Sequence, residues 1–264
     1  MNLSDAALVT IGSTLVAGVA AVLARRVLPL DVRRRHHDVG IAVFLQLGVV
    51  YAVLLAFVFS GVWDGYNQAA EAINEECASL HGVAILAGTL PAPAAVPVER
   101  AIATYLRDVA DAEWPAMTGR RAMSPAASEA FRILWQTIAT TQAAGEQQVS
   151  TRAEMMTLLA TAHQQRETRL FQINLVVPRA VWILLIVLSV ILVGFVISSG
   201  VEYPGSHAAL AALFAGSLTL FLVTVSLLDR PFEGVLRLQP TDFQDTLGKV
   251  VRLLSAVSGG PGPG

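Results

Sequence analysis

The residues best suited to chemistry lie in one short polar run. It consists of three arginines, two histidines and an aspartate, namely Arg33, Arg34, Arg35, His36, His37 and Asp38. Histidine and aspartate are metal-ligand types, but this run directly precedes a long apolar stretch. There an aspartate can cap a helix and histidines can lie at a membrane interface. We therefore predict no metal site, and we interpret the arginines as a group that attracts anions to the mouth of a pore in an oligomer.

Three glutamates, Glu71, Glu75 and Glu76, form a second group of potential ligands. They are not part of a calcium-binding EF-hand loop, which has acidic residues at alternate positions and a glycine. We therefore predict that they form a solvated helix face.

The sequence lacks the common signatures of catalysis. It has no glycine-rich phosphate loop, no HExxH, no GxSxG and no paired cysteines, and its single cysteine, Cys77, excludes an intrachain disulfide. The formal net charge of -2 gives no general attraction to nucleic acid. We predict no catalytic residues, no cofactor, no nucleic-acid partner and no enzymatic activity.

The elements that must position these residues are membrane-spanning helices. The chain is 54% hydrophobic and only 14% charged, whereas soluble domains carry about 25% charged residues. Four apolar stretches are each near the roughly 20 residues that a span requires. They are Ala6–Leu28, Val39–Val62, Ala180–Ser198 and Ala208–Leu228. We predict a multi-pass protein of the inner (plasma) membrane.

The second span has one face that is polar at both ends. Five residues recur on this face at intervals of three or four, namely Gln46, Val49, Val53, Phe57 and Ser60. A polar group, an apolar middle and a hydroxyl in that order could line a pore with an apolar constriction. A helix packed on its neighbours, with Gln46 hydrogen-bonded across the interface, would show the same pattern. Both interpretations remain open at this point.

The only sizeable polar region follows the second span without a helix breaker. An apolar stripe continues from Tyr66 through Cys77 to Ala87 at heptad-like spacing, suited to packing against copies of the chain. Further helices are predicted to begin near Pro97 and end near Trp114–Pro115, to begin at Ser124–Pro125 with Ser124 as the cap, and to run over 147–174. No strand-like alternation is present.

The predicted fold is therefore all-α, with four transmembrane helices and a helical extramembrane domain between spans 2 and 3. The predicted divisions are 1–63 for spans 1 and 2, 64–175 for the extramembrane domain and 176–230 for spans 3 and 4. The division 231–254 is predicted to hold an amphipathic C-terminal helix that a capping box opens at Thr241, and residues 255–264 are predicted to form a flexible tail.

Arginine counts give the expected orientation. Five arginines lie between spans 1 and 2, and five others flank spans 3 and 4 on the opposite side, namely Arg166, Arg169, Arg179, Arg230 and Arg237. The first span often dominates, and its basic flank follows it. This favours both termini and the polar domain outside the cytoplasm.

Four segments resemble the DUF4239, or bestrophin-like domain, family of bacterial membrane proteins. They are RRHHDVG, VVYAVLLAFVFSGVWDGYNQAAEAINEECASL, EWPAM and LLDRPFEGVLRLQP, within a similarity from about Arg34 to Asp245. The resemblance implies a pentameric or similar homo-oligomeric anion channel in the lipid bilayer, with the second span lining the path of inorganic ions. It also implies a cytoplasmic domain, which conflicts with the arginine counts. The alternative is a non-conducting, membrane-anchored helical scaffold or sensor that binds a protein partner.

Overall fold

The computed structural model describes residues 2–27, 37–199 and 201–258, and within these ranges the chain forms helices and no strands. The all-α prediction is confirmed. The helices are α1 (Leu3–Val27), α2 (His37–Ala87), α3 (Ala92–Asp108), α4 (Trp114–Arg120), α5 (Pro125–Thr140), α6 (Glu146–Phe171), α7 (Arg179–Ile197), α8 (Pro204–Leu228) and α9 (Thr241–Ser258), with a π-helical turn at Val109–Glu113 between α3 and α4.

A membrane unit comprises Met1–Asp64 and Val176–Arg237. Helices α1, α2, α7 and α8 are each long and apolar enough to cross a bilayer, which confirms the four predicted spans. Their ends differ from the predicted ends by a few residues, apart from α2, which continues far beyond the apolar stretch.

Small residues bring α1 and α8 close together within the membrane unit. Ala17 and Ala21 of α1 are buried. A Cβ added at Gly18 would lie 3.5 Å from the Cβ of Ala212, and one added at Gly216 would lie 2.5 Å from the Oγ1 of Thr14. This close approach fits membrane helices, which associate through packing of small residues.

The second unit comprises Gly65–Leu175 and Leu238–Gly264, of which the structure describes residues up to 258. Its core includes Ile73, Leu80, Val98, Ile102, Leu106, Leu134, Ile138, Met155, Leu159, Phe243 and Val250, contributed by α2, α3, α5, α6 and α9. The stripe expected to meet other copies of the chain is therefore buried, from Ile73 to Ala87, inside the chain itself. That expectation was wrong because several amphipathic helices of the same chain cover the stripe.

Two predicted helix boundaries were also wrong. Helix α3 begins at Ala92, so Pro97 lies inside it, where it removes a single backbone hydrogen bond near the helix start. Helical structure does not end at Trp114–Pro115, because the π-helical turn leads directly into α4, and Pro115 lies in the first turn of α4. Ser124 does precede α5, but its side chain makes no capping hydrogen bond.

Candidate functional site

The predicted pore-lining residues all lie on one exposed face of α2. Gln46 and Ser60 are exposed, and the exposed fractions of Val49, Val53 and Phe57 are 64%, 51% and 74%. The Ser60 hydroxyl donates a hydrogen bond of 3.5 Å to the Asp64 carboxylate, so a charged group marks one end of the face. We call these five residues the α2 face.

The opposite side of α2 is packed against the other helices of the membrane unit. Tyr51, Leu55 and Val62 are buried, half a helical turn around from the α2 face. The hydroxyls of Tyr51 and Ser189 are 2.8 Å apart, which links α2 to α7.

Aromatic contacts add to this packing: Phe44 lies against Phe195 and Phe214, and Phe59 lies against Phe221. These contacts fix the rotation of α2 within the membrane unit. They leave the α2 face without a covering helix among the described residues of the same chain.

The three predicted anion-attracting residues, Arg33, Arg34 and Arg35, lie outside the described residues. Within the described ranges, no cluster of three or more His, Cys, Asp or Glu side chains is placed to hold a metal ion. The structure places the three glutamates in different surroundings. Glu71 is exposed, Glu75 accepts a hydrogen bond from the Gln165 amide, and Glu76 is fully buried.

The sequence interpretation missed a buried charge cluster around Glu76, because it placed this residue on a solvated face. The cluster consists of Glu76, Tyr105, Glu113, Arg166 and Arg169, and each of these residues is at most 4% exposed. Its two carboxylates and two guanidinium groups balance in charge. Charges are seldom fully buried without such partners, because burial strips them of water.

Arg169 is the centre of this charge cluster. Its Nε lies 2.9 Å from Oε2 of Glu76, and its Nη2 lies 2.9 Å from Oε1 of Glu113. Arg166 Nη2 donates to the other oxygen of Glu113 at 2.6 Å, and the Tyr105 hydroxyl donates to Oε1 of Glu76. The cluster therefore ties together α2, α3, the π-helical turn and α6.

Aromatic rings and a sulfur atom surround the guanidinium groups. The guanidinium carbon of Arg169 lies 5.1 Å from the ring centre of Phe243 and 5.9 Å from that of Trp114, within reach of cation–π attraction. Its Nη1 lies 3.0 Å from the Met117 sulfur. The EWPAM segment thus supplies Glu113, Trp114 and Met117 to one site, with Glu113 at the end of the π-helical turn.

The surroundings in the cluster favour the charged form of Glu113 and the neutral form of Tyr105. Burial by itself would raise the pKa of Glu113, but Arg169 and Arg166 lower that pKa below its ordinary value. The pKa of Tyr105 is raised well above its usual value, first by burial and then by the neighbouring Glu76 charge. Both shifts carry the pKa away from neutral pH, near which a general acid or base exchanges protons. The cluster is therefore suited to fixing helices in place rather than to catalysis.

The helical periodicity of α6 contained a signal for this cluster. Met155, Leu159, Ala162, Arg166 and Arg169 follow one another at steps of four and three, so both arginines fall on the buried stripe of the helix. Glu76 likewise falls between Ile73 and Leu80 on the stripe of α2. Charged residues on an apolar stripe predict an internal ion pair, whereas we counted both arginines as membrane-flanking charges.

Taken together, four apolar helices and a helical domain built on the continuation of the second define an all-α membrane protein. The profile of the Bestrophin-like domain matches residues 11–243. The chain belongs to the family of bestrophin-like proteins, which confirms that part of the resemblance; the narrower DUF4239 name stays a prediction.

Solved structures agree with this fold. Three crystal structures of single-residue variants of a bacterial bestrophin homologue from Klebsiella pneumoniae are similar, with TM-scores of 0.70, 0.71 and 0.69 at 12%, 12% and 13% sequence identity. In each case the match covers 95% of this chain and 99% of the other. At this identity the likeness shows a shared fold. No curated protein sequence matches.

Proposed function

We propose that the protein is a homo-oligomeric ion channel of the plasma membrane and that the α2 face lines its ion path. The observation that carries the proposal is the exposure of this face directly opposite the side of α2 that packs within the chain. Membership of the bestrophin-like family supports the same function.

The polar ends of the α2 face favour a water-filled axis over lipid. Gln46 is exposed within a span, and its amide makes no side-chain hydrogen bond to other described residues. An amide without a hydrogen-bond partner in hydrocarbon costs several kcal/mol, about 4–8 in a solvent that cannot hydrogen-bond. Water along a central axis would remove this cost at Gln46.

The apolar middle of the face, formed by Val49, Val53 and Phe57, would act as a constriction. Apolar rings can gate a pore by excluding water from it, and the large exposed ring of Phe57 is the most obstructive of the three. One chain supplies one wall, so the path requires several copies around an axis, as in a pentamer or a similar ring.

Anion preference is the finer part of the proposal. It rests on Arg33, Arg34 and Arg35, which would repeat around one mouth of a ring and raise the local anion concentration. Replacing all three with glutamine should lower chloride flux relative to potassium flux. If the ratio of the two fluxes does not change, these arginines do not select anions.

Ion flux from liposomes tests the channel directly. Purified protein should release entrapped ions, and Phe57→Ala should increase the rate because it widens the constriction. Leu213→Ala is the matched control, since Leu213 is a 69% exposed apolar residue of α8 that lies outside the α2 face. Liposomes that retain their ions, with the protein inserted, would instead favour the membrane-anchored scaffold.

A further inference from the structure

Glu99 carries a buried carboxyl group that the proposed channel does not use. Its exposed fraction is 0%, and neither carboxylate oxygen has a hydrogen-bond partner among the described residues. Leaving a carboxylate in this state would cost several kcal/mol. The surroundings must therefore favour a form of this group that is not negatively charged.

The carboxyl group lies at the C-terminal end of α2. A Cβ added at Gly88 would lie 3.7 Å from Oε1 of Glu99, 3.4 Å from the Ile85 carbonyl oxygen and 3.7 Å from the Ala84 carbonyl oxygen. These three oxygens therefore surround the same small space, which is open because residue 88 has no side chain.

The carbonyl groups at this helix end attract a proton donor and repel an anion. The Thr89 N–H donates to Leu86 at 3.1 Å, so it does not serve the Ile85 oxygen, which would be its usual partner in an α-helix. The helix C-terminus also carries partial negative charge, roughly half an elementary charge. A carboxylate is disfavoured here, whereas a protonated carboxyl group can donate a hydrogen bond.

Charged neighbours do not explain the site. The helices that share the core of this unit with α3 carry charged or titratable side chains, among them His81 of α2, Arg132 of α5, Arg152 and Glu154 of α6, and Lys249 and Arg252 of α9. Among the described residues none of these groups influences the pKa of Glu99, which is raised by burial. Lys249 acts on His81 instead, and Arg132 is paired with the exposed Glu129.

We propose that Glu99 is a proton-binding site whose neutral carboxyl donates a hydrogen bond to a terminal carbonyl oxygen of α2. The proton is taken from water and returned to it on ionisation, and the bond between the α2 end and α3 is then lost. A group whose pKa is raised in the folded protein stabilises the fold at pH values below its pKa in the unfolded chain, which is about 4.3 for glutamic acid. That contribution disappears as the pH rises through the pKa of the group in the folded protein. The site does not depend on the channel proposal.

Infrared spectroscopy of the full chain in detergent tests the site. The wild-type protein should show the carbonyl band of a protonated carboxyl group at pH values above the ordinary pKa of glutamic acid, about 4.3, where exposed carboxyl groups have ionised, and the band should disappear at higher pH. In that pH range Glu99→Gln should lack the band, whereas Glu71→Gln, at an exposed position, should retain it. If the band of the wild-type protein is no stronger than that of Glu99→Gln at any pH in this range, the proposal is wrong.

Thermal unfolding gives an independent readout. The wild-type midpoint should fall relative to that of Glu99→Gln as the pH rises, because glutamine keeps a donor that does not ionise. Parallel pH profiles would overturn the proposal. Stabilisation of the wild-type protein, but not of Glu99→Gln, by added K⁺ or Ca²⁺ would also overturn it, since a metal cation would then occupy the space.

Discussion

Arg169 and Glu76 are 93 residues apart in the sequence, and their side chains meet at 2.9 Å with neither exposed to solvent. This pair joins α6 to the extramembrane part of α2, the helix that also carries the α2 face. Replacement of a whole buried ion pair by apolar residues is often neutral in stability, whereas removal of one partner leaves a charge buried alone. The pair therefore matters chiefly for which arrangement of helices is allowed.

Arg169→Met should destabilise the extramembrane unit strongly. Glu76 and Glu113 would lose their shared partner, and the expected cost is about 3–5 kcal/mol. The measurement is the thermal unfolding midpoint of the protein in detergent. Arg132→Met is the control, because the Arg132–Glu129 pair is 54% exposed on both sides and should leave the midpoint unchanged. Equal midpoints for the two variants would show that the buried pair holds nothing in place.

Acid should weaken the fold through Glu113. Arg169 and Arg166 lower the pKa of Glu113 in the folded protein. Glu113 therefore stabilises the fold at pH values above its pKa in the unfolded chain, about 4.3. This contribution is lost as the pH falls from about 4.3 through the pKa of Glu113 in the folded protein. Both arginines then lose the charge of their shared partner. Glu113→Gln should be less stable at pH 7, and the difference from wild type should shrink in acid. A difference that stays constant with pH would contradict this account.

Gly216 should not tolerate a side chain, whereas Gly194 should. A Cβ at Gly216 would approach the Thr14 hydroxyl to 2.5 Å, and that hydroxyl is held by a 2.7 Å hydrogen bond to the Thr10 carbonyl. No heavy atom lies within 4 Å of a Cβ built at Gly194. Gly216→Ala should therefore lower the unfolding midpoint and Gly194→Ala should not. If both behave alike, the contact between α1 and α8 is looser than the structure indicates.

Sequence patterns predicted the spans and the α2 face because both depend on residue type alone. Length of the apolar run identifies a span, and a spacing of three to four residues places Gln46 and Phe57 on one side. The patterns did not show that Tyr51 lies on the packed side, since that depends on Ser189, which is remote in the sequence. They missed Glu113 for a similar reason, because its partners follow more than 50 residues later and a π-helical turn carries it.

The buried cluster changes the count of membrane-flanking arginines from which the orientation was predicted. Arg166 and Arg169 are internal ion-pair partners, so they no longer count as membrane-flanking charges. Only Arg179, Arg230 and Arg237 remain as membrane-flanking arginines on that side, against five arginines between the first two spans. The positive-inside rule then favours an extracytoplasmic domain. A C-terminal fusion to a reporter active only outside the cytoplasm should be active, and activity of a cytoplasm-only reporter would reverse the orientation.

The central claim is that the α2 face meets water in an assembled channel, and a single cysteine at Val53 tests it most directly. Native Cys77 is buried, and a Cys77→Ser background removes it as a target. In this background Val53→Cys should make channel current sensitive to block by a charged, membrane-impermeant thiol reagent. Leu213→Cys, on the exposed side of α8, should leave the current unaffected. Persistent current through the Val53→Cys channel, with the reagent present on both sides of the membrane, would contradict the account.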